Sequence, residues 1–441
     1  MNASAIEASE HYAWIIRQQF ENQPTHADTW LEQLKRNARQ AFSRMDFPDR
    51  KQEAWRYTGT DKLLEHAFVP AHPRLNVDIE TSRLMAPITG LDSHRLAFVD
   101  NRFRIDMSTL DALPDGVSVR SLRQPEQQPA SIRSWLESST IHNRNRFAAL
   151  GTALLTDGVI VQLDAGVLLD KPLELLFLVT PGNETVCSTP RILIELAQGA
   201  SASLIERYRG HGQQAYFHNV VEEIILQPHA SLRHYRLVEE GGEAFHLSNM
   251  LVQQHEGSSY YGLNLQLAGK WIRSDIDIEM NGRDAECDIH GLYTVDNGQQ
   301  NDVHVNVLHH APACKSRQHY KGLLLGKGRA VFDSRIVVDS DAQHTDAHMS
   351  NDNLMLSDDA EVDTKPQLVI HADDVKCGHG TTVGQLEPEQ LFYLRSRGIS
   401  EADAYRILCQ GFASDILATC TIAALRDHVE SELQALSLIK H

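Results

Sequence analysis

The chain has 441 residues, with 59 acidic against 41 basic side chains and a formal net charge of −18 at pH 7. That length allows two or three domains, and a surface of that sign repels phosphate backbones, which argues against a nucleic-acid partner. No run of about 18 apolar residues is present to span a bilayer, and the opening MNASAIEASEHYAW lacks the basic-then-apolar pattern of a secretory signal, so a cytoplasmic address is expected.

The first 70 residues read as helix. In THADTWLEQLKRNARQAF the apolar residues Trp30, Leu31, Leu34, Ala38 and Phe42 recur at helical spacing, and Pro48 closes the segment. KQEAWRYTGTDKLL, Lys51 to Leu64, then sets two aromatic residues in a polar context. The stretch from about 70 to 150 is mixed, without a clear period, and SIRSWLESSTIHNRNRFAALGTALL reads as a helix-rich lead-in.

From about Asp157 the texture changes. GVIVQLDAGVLL, LELLFLV, RILIELAQGASASLIERY and VVEEIILQPHASLRHYRLV are short alternating or apolar runs bounded by Gly, Pro, Asp or Asn, which is how strands read. Small-residue turns recur at Gly199, His229, Glu256, Arg283 and Ala311, in steps of roughly 27 to 30 residues, the spacing of stacked coils in a β-solenoid. A sandwich or barrel would carry closer hairpin turns such as Asn-Gly.

From Glu387 the apolar residues return to helical spacing, broken at Gly398 and Gly411, with Ser400 and Asp403 placed as an N-cap. The expected organisation is mainly β: an N-terminal helical and mixed domain over 1–155, a parallel β-helix core over 156–385, and a C-terminal helical domain over 386–441.

No phosphate-binding G-x-x-x-x-G-K-[ST], nucleophile-elbow G-x-S-x-G or metalloprotease H-E-x-x-H is present; LLLGKGRA has the wrong spacing for a phosphate cradle. The acidic pairs Asp339/Asp341 and Asp358/Asp359 fall in turn-like contexts, although paired carboxylates could hydrolyse a sugar, as in β-helix carbohydrate enzymes. Such an enzyme would be secreted and line its groove with aromatics, and the chain is 7% aromatic.

The six cysteines, Cys187, Cys287, Cys314, Cys377, Cys409 and Cys420, form no C-x-x-C pair, and scattered cysteines read as buried reduced thiols. Of the 23 histidines, nine lie between His290 and His379; in VHVNVLHH, His304 and Asn306 share one strand face, a row that could be incidental or a metal path. The sharpest local signal is DVKCGHGTTVG. In an extended backbone Cys377 and His379 point the same way, and thiolate with imidazole suits iron or another soft metal. Two ligands do not close a site, so the pair is structural, or its partners come from elsewhere in the fold or from a second chain.

FDSRIVVDSDAQHTDAHMSNDNLMLSDDAEVDTKPQLVIHADDVKCGHGTTVGQLEPEQLFYLRSRGIS resembles the SufB/SufD family of iron–sulfur cluster assembly proteins, densely over residues 300 to 420 and, through KQEAWRYTGTDKLL and FAALGTALLTDGVIVQL, over nearly the whole chain. A SufB-like chain would carry Cys-Glu-His-Glu in place of Cys377-Gly378-His379-Gly380, and often a cysteine cluster near its start; this chain has no cysteine before Cys187, which favours the SufD branch. SufB itself stays as a second alternative beside the carbohydrate enzyme.

The resemblance implies a right-handed parallel β-helix flanked by helices. It also implies a non-catalytic subunit that joins a SufB-like paralogue and the ABC-type ATPase SufC in building and passing on a cluster. His379 then faces a SufB cysteine across a heterodimer interface as a ligand to iron or a transient cluster, and Cys377 is a secondary ligand or structural. The resemblance places SufC on the C-terminal helices, through Leu391, Phe392, Tyr393, Leu394, Arg395 and Arg397, with Arg406 nearby. Deleting 387 to 441 is expected to abolish that docking and leave the β-helix folded. Homodimerisation of the isolated chain and reduced flavin on the complex are compatible with the resemblance.

Overall fold

The computed structural model describes residues 3–21, 29–72, 79–110, 113–123, 128–180, 182–210 and 214–435. From Gly158 to Gln385 the chain runs as strands joined by tight corners, and successive long strands alternate between two sheets. Pairing from coil to coil is parallel: Ser231 aligns with Ser201, Ser259 with Ser231, Glu286 with Ser259, Lys315 with Glu286, Asp346 with Lys315, and Lys376 with Asp346. Each coil takes up about 30 residues, and about 7 turns stack into a parallel β-solenoid, the fold expected from the repeat.

The physical origin of the repeat lies at one corner. Gly199, His229, Gly257, Asp284, Ala313 and His344 all adopt left-handed backbone, with φ from 58 to 68°. Each uses its N–H to donate to a carbonyl at the corresponding corner of the next coil, from Gly199 to Pro228 O at 3.0 Å through to His344 to Asp374 O at 2.7 Å. The next residue turns inward and must be small: Ala200, Ala230, Ser258, Ala285, Cys314 and Thr345 are all buried. Cys314 is therefore a corner filler, as the composition suggested for scattered thiols.

Between the sheets, alternate side chains form the core; along Trp271–Met280, Ile272, Ile276, Ile278 and Met280 point inward. A polar girdle interrupts it. Arg236 Nε lies 3.3 Å from Glu206 and 3.8 Å from Glu222, all fully enclosed. Burial and the neighbouring Glu206 carboxylate push Glu222 well above the ordinary carboxylate range. Glu206, although equally buried, is held down to about 2 by His234 and Arg236.

The helices cover the outer faces. Trp30–Arg44, capped by the Thr29 hydroxyl accepting from Glu32 N, and Arg146–Ala153 pack with Phe217, Phe245 and Trp271 of one sheet. Glu401–Ala418 and Ala423–Ala435 bury Cys409, Ile416, Leu417, Leu425 and Val429 against Leu237, Leu263, Leu292 and Leu323 of the other. One of these features differs from the sequence reading. The helix Glu401–Ala418, N-capped by Ser400 as expected, passes through Gly411 unbroken: a helical glycine costs only about 1 kcal/mol, and the buried face of that helix outweighs it. Because the same helices seal a sheet, deleting 387 to 441 would strip the solenoid of part of its cover.

In the region without clear period, His94–Val99 joins the second sheet in parallel with Leu173–Val179. Two motifs quoted above also meet in space: Glu53 pairs with Lys365 of AEVDTKPQL, the Arg273 guanidinium stacks 3.6 Å from the Trp55 ring, and Thr58 donates to Asp302 at 2.8 Å. KQEAWRYT is thus a clasp between N-terminal segment and solenoid.

Candidate functional site at the open end of the solenoid

DVKCGHGTTVG forms the last coil. Its strand, Lys376–Gln385, pairs on one side with Asp346–Met355 and ends its sheet; Glu361–Ile370 likewise ends the other. Among the described residues no strand covers either outer edge, which leaves a row of backbone donors and acceptors as a template for another chain. The side chains here are correspondingly exposed: Ile370, Val383 and every residue from His379 to Gln385. A monomeric fold would normally cap such an end.

Register decides where the two candidate ligands point. Cys377 aligns with Ala347 and His379 with Met349, both core-facing, so thiol and imidazole share the inward face of an uncovered coil. Cys377 is half-buried against the end of the core, and burial raises its pKa above the ordinary thiol value; the isolated chain disfavours the thiolate that a metal needs. His379 is exposed. Gly378 and Gly380 face the opposite side. A Cβ at Gly378 would come within 3.1 Å of His348 Nδ1, whereas one at Gly380 would meet nothing within 4 Å. The first glycine makes room for His348; the second serves no packing purpose within this chain.

The other five cysteines are buried and free, and burial pushes Cys187 and Cys409 up to about 12. The histidine row of VHVNVLHH is not a solvated face. His304 is buried beneath the clasp with Nε2 2.9 Å from Arg273 Nη1, and burial beside that cation drives its pKa well down. His309 is enclosed, its Nε2 2.9 Å from Ser316 Oγ. Of the acidic pairs, Asp339 contacts His310 at 2.7 Å and Asp358 accepts from Gln385 at 3.0 Å; all four carboxylates stand in turns.

Sequence reasoning missed a different row. His290, His319 and His348 stand on the outer face of the motif's own sheet, on the three coils before it, and border an open groove of about 510 Å³ that also takes in His379 and Gly380. The signal was present in Asp-x-His at 288–290 and 346–348, legible once strands are aligned at the coil period.

The short helix Pro388–Ser396 follows the motif. It buries none of its residues: Leu391 and Leu394 are partly covered, Phe392 is 74% and Tyr393 58% exposed, and Arg395 and Arg397 are open. Packing against the end of the β-helix does not account for these side chains.

Residues 178–412 match the SufBD core domain of the SUF system for FeS cluster assembly, and residues 6–175 match the SufBD protein N-terminal region. The chain is 31% identical over 398 residues to the iron–sulfur cluster assembly protein SufD of Escherichia coli, covering 88% of this chain and 89% of that one. It is 29% identical over 408 residues to an iron–sulfur cluster assembly SufBD family protein of Synechocystis sp., covering 90% and 89%. Similarity extends to the chloroplastic protein ABCI7 of Arabidopsis thaliana, 25% identical over 92% of this chain and 86% of that one. No helix among the described residues is long and apolar enough to cross a membrane. With a solenoid of this winding, both regions matched and relatives aligned along most of their length, the chain belongs to the SufBD family of iron–sulfur cluster assembly proteins.

Proposed function

We propose that this chain is the SufD-like subunit of a cytoplasmic complex with a SufB-like paralogue and a SufC-like ATPase. The observation that carries this reading is the open last coil: an imidazole, His379, on an unpaired strand edge beside Gly380, a glycine that nothing in this chain requires. Half a site at an uncapped edge is completed by another chain, and edge pairing through backbone hydrogen bonds is a general mode of such docking. In that complex His379 ligates iron or the nascent cluster, which is cargo, together with a partner thiolate; neutral imidazole is a good ligand for iron. Cys377 plays a secondary part, in keeping with its raised pKa. The chain itself makes and breaks no bond, and ATP hydrolysis belongs to the SufC-like partner.

The exposed helix Pro388–Ser396 supports a docking place for the ATPase, with Phe392 and Tyr393 as anchors and Arg395 and Arg397 as rim.

The test is co-expression with both partners, followed by anaerobic reconstitution and analysis of iron and sulfide. His379→Ala is expected to leave the complex intact and reduce cluster content at least about tenfold, with Cys377→Ala doing less. Normal iron and sulfide in the His379→Ala complex would overturn the ligand role; loss of the complex would make His379 an interface residue. Phe392→Ser with Tyr393→Ser should release the ATPase without unfolding the chain.

A further inference from the structure

On the coils that lead to the last strand, three imidazoles each present one nitrogen to a carboxylate. His290 Nε2 lies 3.0 Å from Asp288 Oδ1, His319 Nε2 3.2 Å from Asp352 Oδ2, and His348 Nε2 3.1 Å from Asp346 Oδ1. Asp288 and Asp346 sit two residues before their histidines, hence on the same strand face. Asp352 reaches His319 from the neighbouring strand and is itself held by Thr382 at 2.6 Å. Nδ1 is thereby the ring nitrogen turned away from the carboxylate. For His290 that atom is buried without a hydrogen-bond partner, so its lost hydration is left uncompensated.

An imidazole with a carboxylate on one nitrogen and no protein partner on the other is the usual arrangement of a metal-ligating histidine: the carboxylate orients the ring and raises its basicity. His290 and His319 pair across adjoining strands with ring centroids 6.3 Å apart, the span of two imidazoles on opposite sides of one ion with N–metal bonds of about 2.0–2.1 Å. Their side chains are 12% and 29% exposed, and that of His348, next along the groove toward His379, is 53% exposed. The open groove leaves room for waters to complete the coordination. Two neutral nitrogens with waters hold a borderline divalent ion weakly and exchangeably.

We infer that His290 and His319 form a divalent transition-metal site, oriented by Asp288 and Asp352, on the groove that ends at His379. The ion it takes is ferrous iron or one of like ligand preference. The identity of the cargo rests on the proposed function, whereas the site itself rests on the geometry of these side chains. An ion held there lies on a groove that reaches the last coil at Gly378 and Gly380, with His348 between and the His379 imidazole on the other face of that strand, so the site would hold iron beside the motif.

The test uses the full-length isolated chain under anaerobic conditions, titrated with Co(II) as a spectroscopic probe and then with Fe(II). The wild type is expected to bind one equivalent. His290→Gln with His319→Gln should weaken binding by about tenfold or more and Asp288→Asn by a smaller factor, whereas replacing the exposed His371 by Gln, outside the groove, should leave it unchanged. Circular dichroism reports whether each variant is folded, and the single His319→Gln serves if the double variant is not. Unchanged Co(II) affinity in a folded His290 or His319 variant, or no Co(II) binding by the wild type, would overturn the site. Loss of binding in His379→Ala alone would move the ion to the motif. If cluster content in the complex is indifferent to His379 while Co(II) binding still depends on His290 and His319, the proposed function fails and the site stands.

Discussion

Replacing Gly380 by alanine separates what this fold needs from what an assembled complex needs. Gly380 lies in the extended strand Lys376–Gln385, is not among the glycines with positive φ, and has nothing within 4 Å of the position a Cβ would take. Glycine inside a strand costs roughly 0.5–1 kcal/mol relative to alanine, because the unfolded chain loses more freedom. Gly380→Ala should therefore stabilise the isolated chain by about 0.5–1 kcal/mol, read as a rise in denaturant midpoint. Gly378→Ala should gain less, because its Cβ would sit 3.1 Å from His348 Nδ1 and that ring must shift. In the assembled complex the sign reverses: a side chain at 380 obstructs whatever approaches the edge, so pairing with the SufB-like chain or cluster content should fall. Destabilisation of the isolated chain by more than about 1 kcal/mol would refute the reasoning, since the fold itself would then require the glycine. Unaltered assembly and cluster content would refute its functional half.

Cys377 is the one cysteine not buried, yet burial raises its pKa; alkylation of the native chain should occur there first, slowly at pH 8, and accelerate as pH rises past the ordinary thiol range. His246 and His309 are both held down to about 4 by burial. The unfolded chain therefore binds more protons between about pH 6.5 and 4, and stability falls as pH drops through that window; His309→Gln should flatten the slope of unfolding free energy against pH, and an unchanged slope would count against neutral burial of that ring. Trp55→Ala removes a nearly fully buried ring packed on Trp271, Phe147 and Arg273; a loss of about 3–5 kcal/mol is expected, and faster proteolysis near residue 50 would show the clasp opening.

The winding of this chain is legible in its sequence because the constraint that makes it is local. A corner needs a residue that tolerates left-handed backbone followed by one small enough to turn inward, and Gly-Ala, His-Ala, Asp-Ala and Ala-Cys recur at the coil period. The Cys-Gly-His motif and the Ser400 cap were equally local. Burial and neighbourhood were not. His304 alternates with valines as a solvated row would, and only the arrival of Trp55, more than two hundred positions earlier, covers it. Gly411 reads as a break, and only the sheet beneath its helix holds it helical. His290, His319 and His348 are far apart in sequence and become neighbours because winding brings each coil onto the last, at a strand separation of about 4.8 Å. Which side chains meet across coils, and which face is covered, depends on register and on what packs outside the sheet, and neither quantity is contained in any short window of sequence.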